Sequence, residues 1–274
     1  MSHVKTAVFP VAGMGTRFLP ITKAIPKEML PIMAKPLIQY AVDEAVAAGI
    51  DHLVFVTSGS KRSIEDYFDK NYELEKRLED SGKVDALGSL HRILPSSVSL
   101  SYIRQREPKG LGDAILTAKR LVGEENFTVL LADDLVVQEK GKKSFLCDLV
   151  DSFQGEMGAN LALNQIPREE SYRYGIADFD EKTGKISALV EKPSPKDAPS
   201  SWAVLGRYVF SPEIFSYLEK TKAGFGGELQ ITDAISLMMK DKLVCGRIFE
   251  GRSFDCGSFV GFKEAIQYYA MNEA

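Results

Sequence analysis

Residues 5–32 read KTAVFPVAGMGTRFLPITKAIPKEMLPI, and the change of texture along them decides the fold. The opening, KTAVFPVA over residues 5–12, is a short apolar run closed by a glycine-rich turn, the pattern of a buried strand that delivers a loop. In that loop Gly13 and Gly15 let backbone come close to a ligand and turn N–H groups toward an anion, while Arg17 adds a forked cation. Neither common phosphate motif fits. The third glycine of a dinucleotide GxGxxG would fall on Phe18, and no Gly-Lys pair is followed by Ser or Thr. Taken alone, a GxG turn after a strand reads equally as a tight turn. The continuation adds Lys23 and Lys27 to Arg17, with Pro20, Pro26 and Pro31 stiffening the chain. For a loop that meets no anion, that density of cations has no packing rationale.

Working outward, residues 37–49 (LIQYAVDEAVAAG) place Ile38, Ala41, Val42, Ala45 and Val46 on one helical face and end on a glycine suited to a left-handed C-cap. Residues 52–57 (HLVFVT) read as the next strand, so strand, helix and strand imply a right-handed parallel βαβ unit. The alternation continues with a charged helical region over 61–80, a strand near 100–104, a helix from about 113 to 122 and a strand over 127–132. Asp133 and Asp134 then stand at a strand's carboxyl end, the edge where open α/β sheets bind ligands. Past the midpoint, strands are expected over 172–178, 185–191 and 202–210, suited to antiparallel pairing, and helices over 212–221, 231–240 and 259–271 around a strand at 243–249. The reading is α/β: a Rossmann-like, mixed but mainly parallel sheet flanked by helices, with a smaller antiparallel element in the C-terminal half. Residues 1–274 are expected to form one domain, about 1–155 giving one half and 156–274 a half with a second ligand pocket.

Bulk properties narrow the function. A chain of 274 residues with 45% hydrophobic and 26% charged residues can bury a full core. Its formal charge of −4 is mild, and its cations are scattered among acids, which argues against nucleic-acid binding by counterion release. Cys147, Cys245 and Cys256 are odd in number and lack CxxC spacing, which argues against a disulfide framework or zinc and suits a reducing cytoplasm. The opening MSHVKTAVFPVAGMG has too short an apolar run for a signal peptide or membrane span, and no longer run follows, so no membrane partner is expected. His3, His52 and His91 fall at the terminus, a strand start and a helical region, none beside a candidate nucleophile, so Ser-His-Asp or Cys-His chemistry is not expected.

The loop GMGTRFLP together with PKEMLPI (residues 26–32) resembles the bacterial UTP–glucose-1-phosphate uridylyltransferases of the sugar nucleotidyltransferase superfamily, whose signature is GxGTR followed by PK and a Leu-Pro pair. The likeness runs nearly end to end through KPLIQYAVDEA (35–45), KGLG (109–112), LADD (131–134), VEKP (190–193), QITDAI (230–235) and FDCGS (254–258). It implies that UTP and glucose 1-phosphate give UDP-glucose and pyrophosphate, with Mg²⁺ as cofactor, in a homodimer or homotetramer. It also implies that Ala12, Gly13, Gly15, Gln105 and Gly110 bind the nucleotide, Gln105 and backbone at Gly110 reading the uracil edge. Arg17, Lys27 and Lys192 would be the catalytic cations. Gly175, Glu191, Lys192, Val204 and Gly206 would receive the sugar phosphate, and Asp133 and Asp255 would hold the metal; within the LADD pair Asp133 is preferred as the ligand and Asp134 as structural, a choice the sequence alone does not decide.

Elementary electrostatics agrees. Two unit charges about 4 Å apart repel by roughly 4 kcal/mol at an effective dielectric near 20, and joining a sugar phosphate to a triphosphate involves several such pairs. Cations must therefore dominate the site. The attacking group is already a phosphate oxygen anion, so no general base is required, and in-line positioning and charge stabilisation suffice.

Each residue also has a bland reading. Asp133 after a strand reads as a helix cap or solvated turn, Gln105 as an ordinary polar residue, and Glu191 with Lys192 as a surface pair. Trp202, Tyr208 and Phe210 read as core or pocket wall, and Cys256 as a small buried thiol. Two positions depart from the family pattern: Asp113 stands where many members carry His, and Gly227 where they carry Asn or Asp. Asp113 is expected to cap the helix that follows. Two rival functions remain open at this point, a thymidylyltransferase, because thymine shows the same imide edge, and a catalytically silent paralogue that binds sugar nucleotide.

Overall fold

The computed structural model describes residues 4–138, 141 and 143–272. Strand β1 (Thr6–Pro10) is apolar on both sides: Ala7 and Phe9 face one core cluster, Val8 the other, and all three are fully buried. After a loop of short 3₁₀ turns, a two-residue hairpin of β2 (Pro31–Ile32) and β3 (Lys35–Pro36) feeds helix α1 (Leu37–Ala47), and Gly49 takes a positive φ of 80° just past its end. Strand β4 (His52–Thr57) then lies parallel to β1, Thr6 opposite His52, as the βαβ reading requires. Phe9 stacks on Phe55 across the two strands at 5.1 Å, and sealing each such ring from water contributes on the order of 2 kcal/mol.

The charged region resolves into α2 (Arg62–Phe68) and α3 (Tyr72–Asp80), followed by α4 (Val84–His91) and strand β5 (Ser99–Arg104), parallel to β4. The chain returns through α5 (Leu111–Thr117) and α6 (Lys119–Val122) to β6 (Phe127–Leu130), which pairs parallel with β1 on its other side. The order thus reverses beside β1, which makes it the switch point, the place where loops of open α/β sheets part to form a ligand crevice. Strand β7 (Asp134–Val137) and helix α7 (Phe145–Asp151) close the first half.

The second half adds β8 (Met157–Gln165), β9 (Gly175–Phe179), β10 (Ile186–Glu191) and β11 (Trp202–Phe210), then α8 (Ile214–Lys220), α9 (Ile231–Met238), β12 (Leu243–Ile248), β13 (Arg252–Asp255) and α10 (Phe259–Asn272). Among the described residues one nine-stranded sheet runs β10-β9-β11-β6-β1-β4-β5, with β8 also on β11 and β12 on β8. By the pairings, only β11 and β10 oppose the common direction, so the sheet is mainly parallel and its antiparallel element is β9, β10 and β11. Helices cover both faces, α1 and α7 over one cluster and α5, α8 and α9 over the other.

Three features escaped the sequence reading. Strand β8 carries Ala, Asn and Gly in place of β-branched residues, and its Asn160 is buried, donating to Leu149 O and Ser152 Oγ at 2.9 Å. The short pair β7 and β13 is set by long-range pairing, Asp255 opposite Asp134. Arg207, 1% exposed in the middle of β11, donates to Glu44 at 2.8 Å and to the carbonyls of Leu131 and Gly206 at 3.0 Å. It thereby pins the turn that carries Asp133 and Asp134.

Candidate active site

The loop after β1 reaches its working shape through Gly15, whose φ of 65° lies in the left-handed region. Thr22 Oγ1 donates to Gly15 O at 2.8 Å and folds the loop back on itself. Ala12 is buried at the loop's root, Gly13 is exposed with open space beside its Cα, and Arg17 reaches across to donate to Gly257 O at 3.3 Å.

Lys27 crosses to the end of β6. Its Nζ lies 2.5 Å from Asp133 Oδ2, each side chain keeping a fifth to a quarter of its surface exposed. Burial opposes the ammonium, but Asp133, Glu28 and Asp134 outweigh it and hold Lys27 above the ordinary lysine range. Asp133 shows the complement: burial pushes its carboxyl up, Lys27 with Arg17 pulls harder, and the net direction is down.

Asp255 arrives from β13, remote in sequence. Its Oδ2 accepts from Arg173 at 2.6 Å and its Oδ1 from Gly257 N at 3.1 Å. Gly257 is where the two carboxylates face each other: a methyl group built on it would lie 2.7 Å from Asp133 Oδ2 and 3.0 Å from Asp255 Oδ1. Asp134 is turned away, its Oδ2 accepting from Gly206 N at 2.8 Å. Burial first, then Asp133 and Asp255, push its carboxyl up to about 7. The same three aspartates, after burial, raise the Cys256 thiol, which makes it an inert neighbour.

At the other side of the crevice, Gly175 opens β9 against the end of β10. A methyl group there would lie 2.8 Å from Thr232 Cγ2, 3.4 Å from Glu191 Oε2 and 3.9 Å from Val204 Cγ2, so these groups converge on one backbone. Glu191 accepts from Thr232 Oγ1 at 3.0 Å and pairs with Lys192 at 3.1 Å. Lys192 holds an unusual φ of 47° with its N–H on Tyr174 O, and its ammonium lies 5.4 Å from the centre of the Phe225 ring. Gly206 is engaged by the strand itself: its N–H goes to Asp134, and its carbonyl receives Leu131 N and Arg207.

Gln105 lies between β5 and α5, 8% exposed, donating its amide nitrogen to Asp113 Oδ2 at 2.7 Å and Gly110 O at 3.2 Å. Gly110, with φ 104°, sits so close to Leu229 that a Cβ would meet backbone at 2.8 Å. Hydrogen bonds from Leu229 N to Lys109 O and from Gly112 N to Leu229 O, both 2.8 Å, join the two loops. The expectation for Asp113 holds in charge, since it lies in the first turn of α5, where a carboxylate suits the helix start, but not as the capping residue. Gly110 is the N-cap, α5 has already begun at Leu111, and the Asp113 carboxylate serves Gln105 instead. Gly227 has a φ of 75°, which Gly, Asn and Asp all tolerate, so the backbone there accepts either the glycine present or the residues the resemblance led one to expect.

Sequence reasoning missed Arg173 and Thr232. Arg173 follows no motif, and its value comes only from meeting Asp255 and Glu170 in space. Thr232 was within reach, since it sits in the QITDAI run. The histidines stay out of the crevice: His52 bonds Ser101 Oγ at 2.9 Å and Thr6 Oγ1 at 3.4 Å across the strands, His91 pairs with Glu75, and His3 lies outside the described residues. Among those residues no three acidic, His or Cys side chains gather into a closed metal cage, and no helix is long and apolar enough to cross a membrane.

A cation-bearing loop at the switch point of a mainly parallel sheet, set against two remote carboxylates, defines an α/β enzyme that handles phosphate esters. The chain belongs to the nucleotidyl transferase family, whose pattern matches residues 7–272. It is 46% identical over 276 aligned residues to the UTP–glucose-1-phosphate uridylyltransferase of Bacillus subtilis, covering 100% of this chain and 93% of that one. A crystal structure of a UDP-glucose pyrophosphorylase complexed with UDP-glucose superposes with a TM-score of 0.88 at 44% identity, covering 98% of this chain and 99% of the other. The UTP-bound enzyme of Acinetobacter baumannii gives 0.88 at 41%, covering 98% and 94%.

Proposed function

We propose that the protein joins UTP to α-D-glucose 1-phosphate, forming UDP-glucose and releasing pyrophosphate. The observation that carries this reading is that Asp133 and Asp255 meet at Gly257 while Lys27 pairs with Asp133, three charged residues brought together from three distant segments. The two relatives of solved structure named above, one with UDP-glucose and one with UTP, support the choice of substrates.

In the reaction a non-bridging oxygen of the sugar phosphate attacks the α-phosphorus in line. The new P–O bond forms as the bond to the bridging oxygen of the β-phosphate breaks, and the electron pair departs with pyrophosphate. No proton has to be removed. Backbone N–H groups at Ala12, Gly13 and Gly15, with Arg17 and Lys27, hold the triphosphate. Glu191 takes sugar hydroxyls and Lys192 the sugar phosphate, with Gly175, Val204 and the strand at Gly206 shaping the pocket. Lys27 already neutralises one carboxylate, so its charge stands at the site before substrate arrives.

The residues fit Mg²⁺. Gly257 leaves bare the space between two carboxylates, a hard-oxygen donor pair of the kind Mg²⁺ takes alongside substrate phosphates and water. Asp133 and Asp255 would hold it, and the ion would supply charge neutralisation at the phosphates. In the same reading, residues 1–155 and 156–274 are the nucleotide and sugar-phosphate halves of one domain, working in the cytoplasm. Dimers or tetramers form through C-terminal helices, where Phe259, Val260 and Met271 of α10 stay exposed.

Pyrophosphate formed from a matrix of nucleoside triphosphates and sugar 1-phosphates tests the reaction. Release with UTP and glucose 1-phosphate is expected, and replacing both Asp133 and Asp255 by Asn should lower the rate by about 1,000-fold. An unchanged rate in that double variant overturns the mechanism, and preference for dTTP over UTP turns the assignment to the thymidylyl reaction.

A further inference from the structure

Gln105 has a single hydrogen-bonding atom left to offer. The two groups around its amide nitrogen, the Asp113 carboxylate at 2.7 Å and the Gly110 carbonyl at 3.2 Å, can only accept. Chemistry therefore fixes which end of the amide is nitrogen, and both of its protons are spent. The amide oxygen receives no donor among the described residues, yet it is absent from the sealed, unpaired polar atoms, so it keeps an accessible surface. The frame around it is stiff. Gln105 N donates to Thr57 O at 2.9 Å, and Asp113 rides on a helix start bound to Leu229 through Gly112.

We infer that Asp113 is a positioning residue that makes Gln105 a pure acceptor, and that this selects a pyrimidine with a protonated N3 over cytosine. The inference rests on the reading that the base lies beside Gln105 and Gly110. Uracil and thymine carry an N3–H that an amide oxygen can take. Cytosine presents an N3 lone pair there, and two acceptors facing each other leave both unpaired. The Gln105 amide thus meets the base at one point, through its oxygen, and the neighbouring base carbonyl falls to a backbone N–H of the loop at Gly110. Asp113, a departure from the family pattern, is thereby tied to what the site recognises.

Calorimetric dissociation constants for UTP and CTP, measured on the wild type, Asp113→Ala and Asp113→Asn, test this. The wild type should favour UTP by about 100-fold or more. In Asp113→Ala the Gln105 amide is free to turn over and offer its N–H, and the preference should fall by about tenfold, chiefly through better CTP binding. Asn at 113 still presents an oxygen and should restore the preference to within about threefold of the wild type. A residue that merely stiffened the loop would weaken both nucleotides alike and lower the Tm without moving their ratio. If Asp113→Ala does not fold, Asp113→Lys, which sets a donor against Gln105, is read in the same way. An unchanged ratio in a folded Ala or Lys variant overturns the inference, as does a wild type that binds CTP as tightly as UTP. Binding needs no turnover, so discrimination without pyrophosphate release would refute the proposed reaction and leave the role of Asp113 standing.

Discussion

Lys27 and Glu28 are neighbours in sequence and each sits in an ion pair, but the two pairs live in different media. Lys27 meets Asp133 at 2.5 Å in the crevice, with side chains 20% and 27% exposed, whereas Glu28 meets Lys61 at 2.7 Å with side chains 2% and 3% exposed. Burial dominates the second pair and pushes the Glu28 carboxyl up, with Lys61 only partly opposing it. In the first pair the charges win, and both partners are held ionised. One peptide unit thus divides two uses of charge. The sealed pair joins the loop to the Lys61 segment ahead of α2, and the open pair keeps a cation where an incoming anion can meet it.

That division is broken most forcefully at Lys61. Replacing it by Met strands a carboxylate in the core, and a loss of 3–5 kcal/mol is expected, a Tm fall on the order of 10 °C. The folded variant should keep most of its turnover. The effect also carries a pH signature. With its carboxyl raised in the native state, Glu28 holds a proton at pH values where the unfolded chain has lost it, so this group's contribution falls as pH rises through the native value. Loss of Lys61 raises that value further, and the variant should recover part of its stability on acidification toward pH 5. Denaturant unfolding at two pH values measures this; a Lys61→Met protein as stable as the wild type would mean that the sealed pair anchors nothing.

Lys27→Met tests the opposite arm with a smaller total effect. Its kcat/KM should fall about 100-fold, near 2.7 kcal/mol, because a cation aimed at the phosphates is gone. Stability should move by no more than about 1 kcal/mol, since Asp133 keeps contact with water and stays within reach of the Arg17 charge. Steady-state rates and unfolding curves on one preparation separate the two. If Lys27→Met lost stability like Lys61→Met, the open pair would be a fold element and the contrast would fail.

The contrast also shows why some of this molecule was legible in its sequence. Lys27 announced itself because cations crowd a proline-stiffened loop, and His52–Thr57 and Trp202–Phe210 were readable because apolar runs with clear ends leave few alternatives. Glu28 and Lys61 gave no signal. A buried pair 33 residues apart looks, in sequence, like two ordinary surface charges. Arg207 was hidden for the same reason, as a charge inside an apolar strand whose partners Glu44 and Leu131 come from elsewhere. Strand β8 was hidden because Asn160 and its small neighbours fit the sheet only through bonds to α7 and Ser152. Local pattern fixes elements, and pairing across distance, which no local pattern records, decides which charges are sealed and which are offered.

His52 sharpens the comparison from a third position, that of a half-buried titratable group with hydroxyl partners in place of a counterion. It lies at the amino end of β4 between Thr6 and Ser101, away from the crevice at the strands' carboxyl ends. Burial lowers its pKa below the usual 6.5, and Asp51 and Glu125 oppose this only in part. The sign follows from proton counting: between the native value and 6.5 the unfolded chain binds the proton and the native one does not, so stability is full above 6.5 and declines as pH falls through that window. His52→Gln, which keeps a donor for Ser101 and cannot titrate, should lose less Tm than the wild type between pH 7.5 and 5.5, by a gap on the order of one degree. A matched pair of thermal melts measures it. If the two proteins decline in parallel, the hydroxyls of Thr6 and Ser101 accommodate the charged ring as well as the neutral one, and burial without a counterion is not by itself enough to set a residue's charge in this fold.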